Sequence, residues 1–178
     1  STISQNIIST MSFHMAKVLT TSEGGMIFTS NDEWEKEIRI RMNQGESGLV
    51  PYDHIMLGTN ARMTDLQAAI GLGQLSKLER MLDSRAKSAK LYDRLFSEYS
   101  DKILTSSVKY KDSKNAYFLY PIQIKNRDEI SANLKLKYGI DTRIAWPKAI
   151  YEQTLYKKDE KSYKKFNCAN TEIICSNV

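Results

Sequence analysis

The chain has 178 residues, of which 41% are hydrophobic and 26% are charged. This composition is typical of one folded domain, or of one domain with part of another, and is too apolar for a disordered protein. A membrane-spanning protein is excluded because no apolar run reaches the roughly 20 residues that a spanning helix needs. Residues 1–6 lack the basic and apolar regions of a secretory signal, so we expect a cytoplasmic protein.

Charge and cysteine content argue against two common kinds of site. The formal net charge is +5, and much of the basic excess lies in residues 157–165, where five lysines are interleaved with Asp159 and Glu160. A nucleic-acid-binding protein would place such an excess on one face or on a recognition helix, so this run predicts a solvated surface instead. The net positive charge also suits an anionic small-molecule substrate. Cys168 and Cys175 form no cluster with histidine, and we expect reduced thiols and no metal site.

The first third of the chain predicts a strand followed by a helix. The cluster of turn residues at 20–25 precedes an apolar run, Met26–Thr29, that is typical of a short strand. Ser30, with Glu33 three residues later, forms the pattern of a capping box and predicts the start of a helix. We expect that helix to end with Gly45 in the left-handed C′ position.

A second capping box, Thr64 with Gln67, opens the longest helical pattern in the chain. Apolar residues recur at helical spacing from residue 64 to about residue 100, which exceeds the length of most globular helices. We therefore expect either a bend or one long spanning helix. Gly71 and Gly73 are poor helix formers and predict the close approach of another backbone, or the position of the bend.

The last third predicts a small α+β domain. Residues 117–124 are rich in aromatic and β-branched types and predict a strand, with Pro121 at an edge or a bulge. Residues 127–138 predict a helix ended by Gly139, and residues 140–145 predict another strand. These patterns alone indicate an α/β chain like those of many enzymes, and they do not identify a reaction.

Two longer segments resemble a known family. Residues 12–25, SFHMAKVLTTSEGG, resemble the lysine segment of the DegT/StrS family of sugar aminotransferases. Residues 57–71, LGTNARMTDLQAAIG, resemble the second signature of the same family, and weaker similarity spans nearly all of the chain. These enzymes use pyridoxal 5′-phosphate (PLP) and have fold type I.

The resemblance implies an α/β architecture in three parts. Residues 1–63 would be the C-terminal part of the PLP-binding large domain, residues 64–100 a long connecting helix, and residues 101–178 a small α+β C-terminal domain that is incomplete at its end.

The family's remaining cofactor contacts precede the lysine segment: a phosphate turn, a stacking ring and an aspartate. We therefore expect this chain to be roughly the second half of an enzyme. Alone it should bind PLP weakly, be inactive, and leave an apolar helix stripe uncovered, formed by Leu66, Ile70, Leu75, Leu78 and Leu82.

The lysine segment carries three candidate site residues. By resemblance, Lys17 is the catalytic lysine that forms a Schiff base with PLP and carries the proton during transfer. Ser12 resembles the serine whose hydroxyl binds the cofactor phosphate. His14 resembles a histidine that lies near cofactor and sugar and could hydrogen-bond a substrate hydroxyl. The alternatives are a surface lysine, an ordinary loop serine and a packed structural histidine.

The second signature carries two more candidates. By resemblance, Asn60 reaches the cofactor phosphate of the neighbouring subunit, which implies a homodimer with shared active sites. Arg62 could bind a carboxylate or diphosphate of the substrate, and the alternative is an ion pair with Asp65. The glycines of residues 23–25 should allow a tight hairpin after the lysine. His54 has no assigned role.

The resemblance implies a transaminase that moves an amino group from L-glutamate to a nucleotide-linked keto-sugar, with pyridoxamine phosphate (PMP) as the intermediate cofactor form. A 4-keto sugar is favoured, and the pathway would serve lipopolysaccharide or other surface polysaccharides. Two alternatives remain. A PLP- or PMP-dependent sugar 3-dehydratase has histidine in place of the lysine, so Lys17 argues against it. The other alternative is a non-catalytic fragment or interaction domain.

Overall fold

The structure is a computed structural model that describes residues 7–105, 113–158 and 168–178. The chain divides into two compact units, Ser1–Ser84 and Arg85–Val178. The strands are β1 (Ile8–Ser12), β2 (Gly25–Thr29), β3 (Ile103–Thr105) and β4 (Ile122–Ile124). The α-helices are α1 (Asp32–Met42), α2 (Asp65–Leu75), α3 (Leu78–Phe96), α4 (Arg127–Tyr138), α5 (Thr154–Lys157) and α6 (Ala169–Asn177). Two 3₁₀ turns cover Ser97–Tyr99 and Ile150–Glu152.

The first unit contains an antiparallel pair of strands. β1 and β2 pair from Ile8 opposite Thr29 to Ser12 opposite Gly25. The strand predicted at 26–29 is confirmed with one more residue at its start, whereas β1 was not predicted. The predicted tight hairpin at the glycines is wrong, because residues 13–24 form a long loop between the strands. Gly25 is the first residue of β2, and Lys17 lies within the loop.

Helix α1 forms where predicted, but both of its ends are shifted by one residue. Asn31 is the N-cap instead of Ser30, and its Oδ1 accepts hydrogen bonds from the backbone N–H groups of Glu33 (3.0 Å) and Trp34 (3.1 Å). At the other end, Gln44 takes the left-handed C′ position with φ of 64°. Gly45 follows it, and its N–H donates to the Ile40 carbonyl at 2.8 Å, which is a bond of the Schellman motif.

The long helical pattern is interrupted, as one of the two alternatives predicted. α2 begins at the confirmed capping box of Thr64 and Gln67, and the helix breaks at residues 76–77 before α3 begins. The break does not lie at the glycines. The expected close approach of another backbone is also wrong: a Cβ on Gly71 would lie 2.9 Å from a side-chain atom, Thr21 Cγ2, and a Cβ on Gly73 would meet nothing within 4 Å.

The second unit contains fewer strand residues than predicted. β3 pairs antiparallel with β4, from Ile103 opposite Ile124 to Thr105 opposite Ile122. Only the last three residues of the strand predicted at 117–124 are in a strand, and residues 140–145 form no strand. Helix α4 is confirmed, and Gly139 ends it with φ of 66°. Most of the basic run at 157–165 lies outside the described residues.

An aromatic cluster joins α3 to the segment before β4. The Tyr120 ring lies 5.1 Å from the Tyr92 ring and 6.3 Å from the Phe96 ring, measured between centroids. The Tyr120 hydroxyl donates to Asp93 Oδ1 at 2.7 Å. Burial, followed by this hydrogen bond to the carboxylate, raises the pKa of Tyr120 to about 12. The raised pKa extends the protonated form, and with it the hydrogen bond between Tyr120 and Asp93 of α3, to more alkaline pH.

Few side chains are buried within the described part of the chain. The most buried residues are Phe13, Thr21, Ala89 and Ala149. Several apolar side chains of α2 are exposed, including Leu66 at 73% and Leu75 at 54%. This exposure agrees with the expected uncovered stripe at Leu66, Ile70 and Leu75, whereas Leu78 and Leu82 of the same stripe lie on α3 and are half-buried. Among the described residues, no helix is long and apolar enough to cross a membrane.

Candidate active site

The loop that carries Lys17 is closed at its base by backbone hydrogen bonds. The Phe13 N–H donates to the Gly24 carbonyl at 2.9 Å, which continues the ladder of β1 and β2 by one step. The Thr21 N–H donates to the Phe13 carbonyl at 3.0 Å. Phe13 and Thr21 are 5% and 3% exposed, so these bonds are shielded from competing water. The first and last residues of the loop are therefore held together, with Lys17 between them.

Successive turns connect three of the predicted site residues. Ser12 Oγ accepts a hydrogen bond from the His14 N–H at 3.3 Å, and the Lys17 N–H donates to the His14 carbonyl at 2.9 Å. Ser12 lies at the end of β1, and Lys17 is half-buried. The structure thus brings Ser12, His14 and Lys17 together at one end of the strand pair.

The His14 ring has a defined orientation. Its Nδ1 accepts a hydrogen bond from the Ala16 N–H at 3.2 Å, so the neutral ring carries its hydrogen on Nε2. That Nε2 lies 3.6 Å from Glu23 Oε1. His14 is exposed in the described chain. Its Nε2–H points to the last part of the same loop.

Asn60 and Arg62 form a second group around Asn43, the residue that ends α1. Asn43 and Asn60 form an isolated antiparallel bridge. An Arg62 Nη1–H donates to Asn43 Oδ1, and the Arg62 N–H donates to Asn60 Oδ1 at 3.4 Å. Among the described ion pairs, none joins Arg62 to Asp65, so that alternative is wrong. His54 Nδ1 bonds the Gln44 carbonyl at 3.1 Å in the loop between these residues.

Two glycines in direct contact support this second group. A Cβ on Gly58 would lie 2.3 Å from the Gly45 nitrogen and 2.6 Å from the Arg41 carbonyl oxygen. A Cβ on Gly45 would lie 1.8 Å from the Met56 carbonyl oxygen. All of these neighbours are backbone atoms, which cannot move aside as a flexible side chain can. Only glycine fits at either position, and the segment that leads to Asn60 depends on this contact.

We predict that Gly58→Ala lowers the free energy of unfolding by about 1–3 kcal/mol or more, the usual cost of overpacking. Gly73→Ala is the matched control, because it lies in the interior of α2 and a Cβ there meets nothing within 4 Å. Alanine favours helix over glycine by about 1 kcal/mol, so this control should be neutral or stabilising. Urea denaturation of both variants measures the difference, and equal stability of the two would contradict the predicted backbone contact.

Three residues of the site were missed by the sequence analysis. Asn43 bonds Arg62, Thr21 is a buried polar residue in the lysine loop, and Gln67 bonds the same loop from α2. Gln67 was recognised only as half of a capping box. Its residue type was the one signal in the sequence. A capping box works with glutamate or glutamine, but only glutamine has an additional N–H donor that can bond a second partner.

Several curated proteins of similar sequence are named as enzymes that make amino sugars. The chain is 33% identical over 159 residues to the UDP-4-amino-4,6-dideoxy-N-acetyl-beta-L-altrosamine transaminase of Campylobacter jejuni, covering 85% of this chain and 41% of that protein. It is 30% identical over 139 residues to the GDP-perosamine synthase of Caulobacter vibrioides, covering 75% of this chain and 37% of that protein. The chain thus spans about two fifths of the length of these relatives.

Solved structures give the same result. A DegT DnrJ EryC1 StrS aminotransferase from Brucella abortus superimposes with a TM-score of 0.82 at 28% identity, covering 96% of this chain and 44% of that one. The sugar aminotransferase Spr1654 from Streptococcus pneumoniae, in its PLP form, gives a TM-score of 0.79 at 27% identity, covering 96% of this chain and 45% of that one. The helices and strands of this chain therefore have the arrangement of an α/β aminotransferase segment.

A sequence profile of the DegT/DnrJ/EryC1/StrS aminotransferase family matches residues 4–178, almost the whole chain. The match includes both segments on which the resemblance rested, residues 12–25 and 57–71. It agrees with the relatives and with the solved structures. The chain belongs to the DegT/DnrJ/EryC1/StrS aminotransferase family.

Proposed function

We propose that this chain is the lysine-bearing part of a PLP-dependent aminotransferase that acts on a nucleotide-linked keto-sugar, with L-glutamate as the amino donor. The observation that carries the proposal is the closed loop of residues 13–24, which holds a half-buried Lys17 next to Ser12 at the end of β1. Family membership supports the same function, because two of the relatives are named as an altrosamine transaminase and a perosamine synthase.

The side chains of this loop fit a phosphorylated aldehyde. Ser12 Oγ uses a lone pair to accept the His14 N–H, and its own hydrogen can still donate to a phosphate oxygen. Lys17 supplies the primary amine that an aldehyde needs. Neither residue is a carboxylate that would repel a phosphate at this position. We propose Ser12 as a phosphate-binding residue and Lys17 as the residue that holds PLP covalently.

PLP, when bound, supplies an aldehyde carbon and a ring that accepts electrons from the reacting carbon. The protein has to move a proton between two carbons, and we propose Lys17 Nζ as the group that moves it. An amine on a closed loop suits this role because the loop limits the positions that Nζ can reach. Arginine or histidine in its place would not combine covalent attachment with proton transfer.

The substrate side of the site is assigned to His14 and Arg62. The His14 ring is exposed, and its Nε2–H, which lies 3.6 Å from Glu23 Oε1, can turn to donate to a sugar hydroxyl. The Arg62 guanidinium has further N–H donors beyond the one that bonds Asn43, and it suits a carboxylate or diphosphate. We favour a 4-keto sugar because the relatives from Campylobacter jejuni and Caulobacter vibrioides are named for a 4-amino sugar and for perosamine. A relative from Pseudomonas aeruginosa, 32% identical, is named for a 3-oxo sugar.

We further propose a homodimer in which Asn60 binds the cofactor phosphate of the partner subunit. Asn60 Oδ1 accepts the Arg62 N–H, so the side-chain N–H₂ group of Asn60 is left to donate to a phosphate. The side chain is exposed in the chain alone. A phosphate bound by neutral amide and hydroxyl donors from two subunits would make assembly a condition for tight cofactor binding.

The proposed architecture follows the same family. Residues 1–63 would belong to a fold-type I large domain, residues 64–100 to a connecting segment that the structure divides into α2 and α3, and residues 101–178 to a small C-terminal domain. Support comes from the strand pair that precedes α2 and from the β3, β4 and α4 group that follows α3. The cytoplasmic location stays a prediction.

Borohydride reduction of the full-length protein tests the proposed function directly. Hydride fixes a cofactor that is attached to a lysine, and we expect peptide mass spectrometry to find the pyridoxyl group on Lys17. The visible absorption of the bound cofactor should disappear in the same step. Protein that has been unfolded before PLP is added serves as the control for non-specific labelling. A pyridoxyl group on a different lysine, or on none, would contradict the proposal.

A further inference from the structure

Gln67, in the first turn of α2, uses both ends of its side-chain amide. Its Oε1 accepts hydrogen bonds from the Thr64 N–H at 2.9 Å and from the Thr64 hydroxyl at 3.0 Å. Its Nε2–H donates to the backbone carbonyl of Glu23 at 3.0 Å, a residue 44 positions earlier in the chain. One side chain therefore caps the helix and also contacts the Lys17 loop.

The chemistry of the neighbours determines which way the amide points. A backbone N–H can only donate, and a backbone carbonyl can only accept. With the amide reversed, its N–H₂ group would face the Thr64 N–H, and its oxygen would face the Glu23 carbonyl. Both contacts would then be repulsive. The observed orientation is the one that satisfies all three groups, and glutamate at this position would satisfy only the helix cap.

Hydrogen bonds connect Glu23, near the end of the Lys17 loop, to Phe13 at its start. The Glu23 carbonyl also accepts the Thr21 hydroxyl at 2.7 Å, and Thr21 is 3% exposed. Thr21 in turn donates its N–H to Phe13, the first residue of the loop. The methyl group of Thr21 lies against Gly71, one turn further along α2, where a Cβ would be only 2.9 Å away.

We propose that Gln67 is a positioning residue for Lys17: its Nε2–H bond to Glu23 tethers the loop of residues 13–24 to the first turns of α2. The proposal rests on the proposed function, because it assigns the tether to the lysine that would hold PLP. A capping role alone would need only Oε1. The Nε2–H bond is additional to the cap, and it is the only part of the side chain's bonding that acts on the loop.

Gln67→Glu separates the two roles. Glutamate at this position keeps the capping box and adds a favourable charge near the helix N-terminus, so α2 keeps its stability. It removes the donor to Glu23. We expect the backbone amides of Phe13 and Thr21 in the full-length protein to exchange with deuterium about threefold to tenfold faster, the effect of losing one hydrogen bond. We expect kcat to fall by about the same factor, with KM for the amino donor unchanged.

Two further variants make the test decisive. Asn31→Ala removes the N-cap of α1, so it lowers stability without touching the loop, and it should leave both the exchange rates and kcat unchanged. Gln67→Met keeps the side-chain length without a new charge, loses both the cap acceptor and the donor to Glu23, and should loosen the loop as Gln67→Glu does. It therefore keeps the test valid if the glutamate variant does not fold.

Unchanged exchange in the loop of both Gln67 variants would overturn the tether. Faster exchange with unchanged kcat would overturn the positioning role. These results are distinct from a failure of the proposed function, because hydrogen exchange needs neither cofactor nor substrate. Wild-type protein that carries no cofactor on Lys17 would contradict the proposed function, whereas the exchange rates would still decide whether Gln67 holds the loop.

Discussion

Lys17→Ala is expected to lower kcat of the full-length protein by at least about 10²–10⁴-fold, the usual contribution of a positioned acid–base group. The variant loses covalent attachment of the cofactor and the group that moves the proton, so the true loss should be at the upper end or beyond. The fold should survive, because Lys17 is a half-buried loop residue outside the helices and strands. The measurements are the rate of amino transfer, and the melting temperature as a check on the fold.

Lys36→Ala is the matched control for this prediction. Lys36 is an exposed lysine on α1, so its removal takes away the same charge without touching the Lys17 loop. Its rate of amino transfer should equal that of the wild type. If Lys17→Ala kept a rate near that of the wild type, the assignment of Lys17 would be wrong, whatever the family resemblance implies.

Mixing two inactive variants is expected to restore activity if the active site is shared between subunits. In a mixed dimer of Lys17→Ala with Asn60→Ala, one site has Lys17 from one subunit and Asn60 from the other. Random exchange of subunits makes about half of the dimers mixed, so up to about one quarter of the wild-type activity should return. Unbound PLP has to be removed first, because a high PLP concentration would offset the weaker phosphate binding of Asn60→Ala.

The control is a mixture of Asn60→Ala with the double variant Lys17→Ala/Asn60→Ala, which contains no complete site under either arrangement. It should show no gain. If Asn60 instead serves the site of its own subunit, the mixture of single variants should also show no gain, because no subunit then has both residues. That result would contradict the proposed dimer contact without changing the assignment of Lys17.

Local signals were the reliable part of the sequence analysis. The capping box of Thr64 and Gln67 and the end of α4 at Gly139 were predicted correctly, because each depends on residues within about one helical turn. The first helix was also predicted, but its caps were each shifted by one residue. Asn31 and Ser30 are both good N-cap residues, and in the structure Asn31 accepts the capping hydrogen bonds.

Strands were predicted less well because their hydrogen bonds come from distant residues. β1 was missed, although it is the partner of a strand that was predicted. Residues 117–121 and 140–145 have the composition of strands but find no partner among the described residues, and an unpaired strand is not stable. A tight hairpin was predicted at the glycines after Lys17, since the glycines are visible in the sequence and the pairing of Ser12 with Gly25 is not.

The sequence by itself determined the family, the candidate lysine, the start of α2 and the end of α4, because motif spacing and capping act over short stretches of chain. Only the tertiary structure decided which residues support those candidates. Asn43 contacts Arg62, Gly58 contacts Gly45, and Gln67 contacts Glu23 across 13 to 44 positions in the chain. Such contacts form when the chain folds back on itself, and no pattern of neighbouring residues records them.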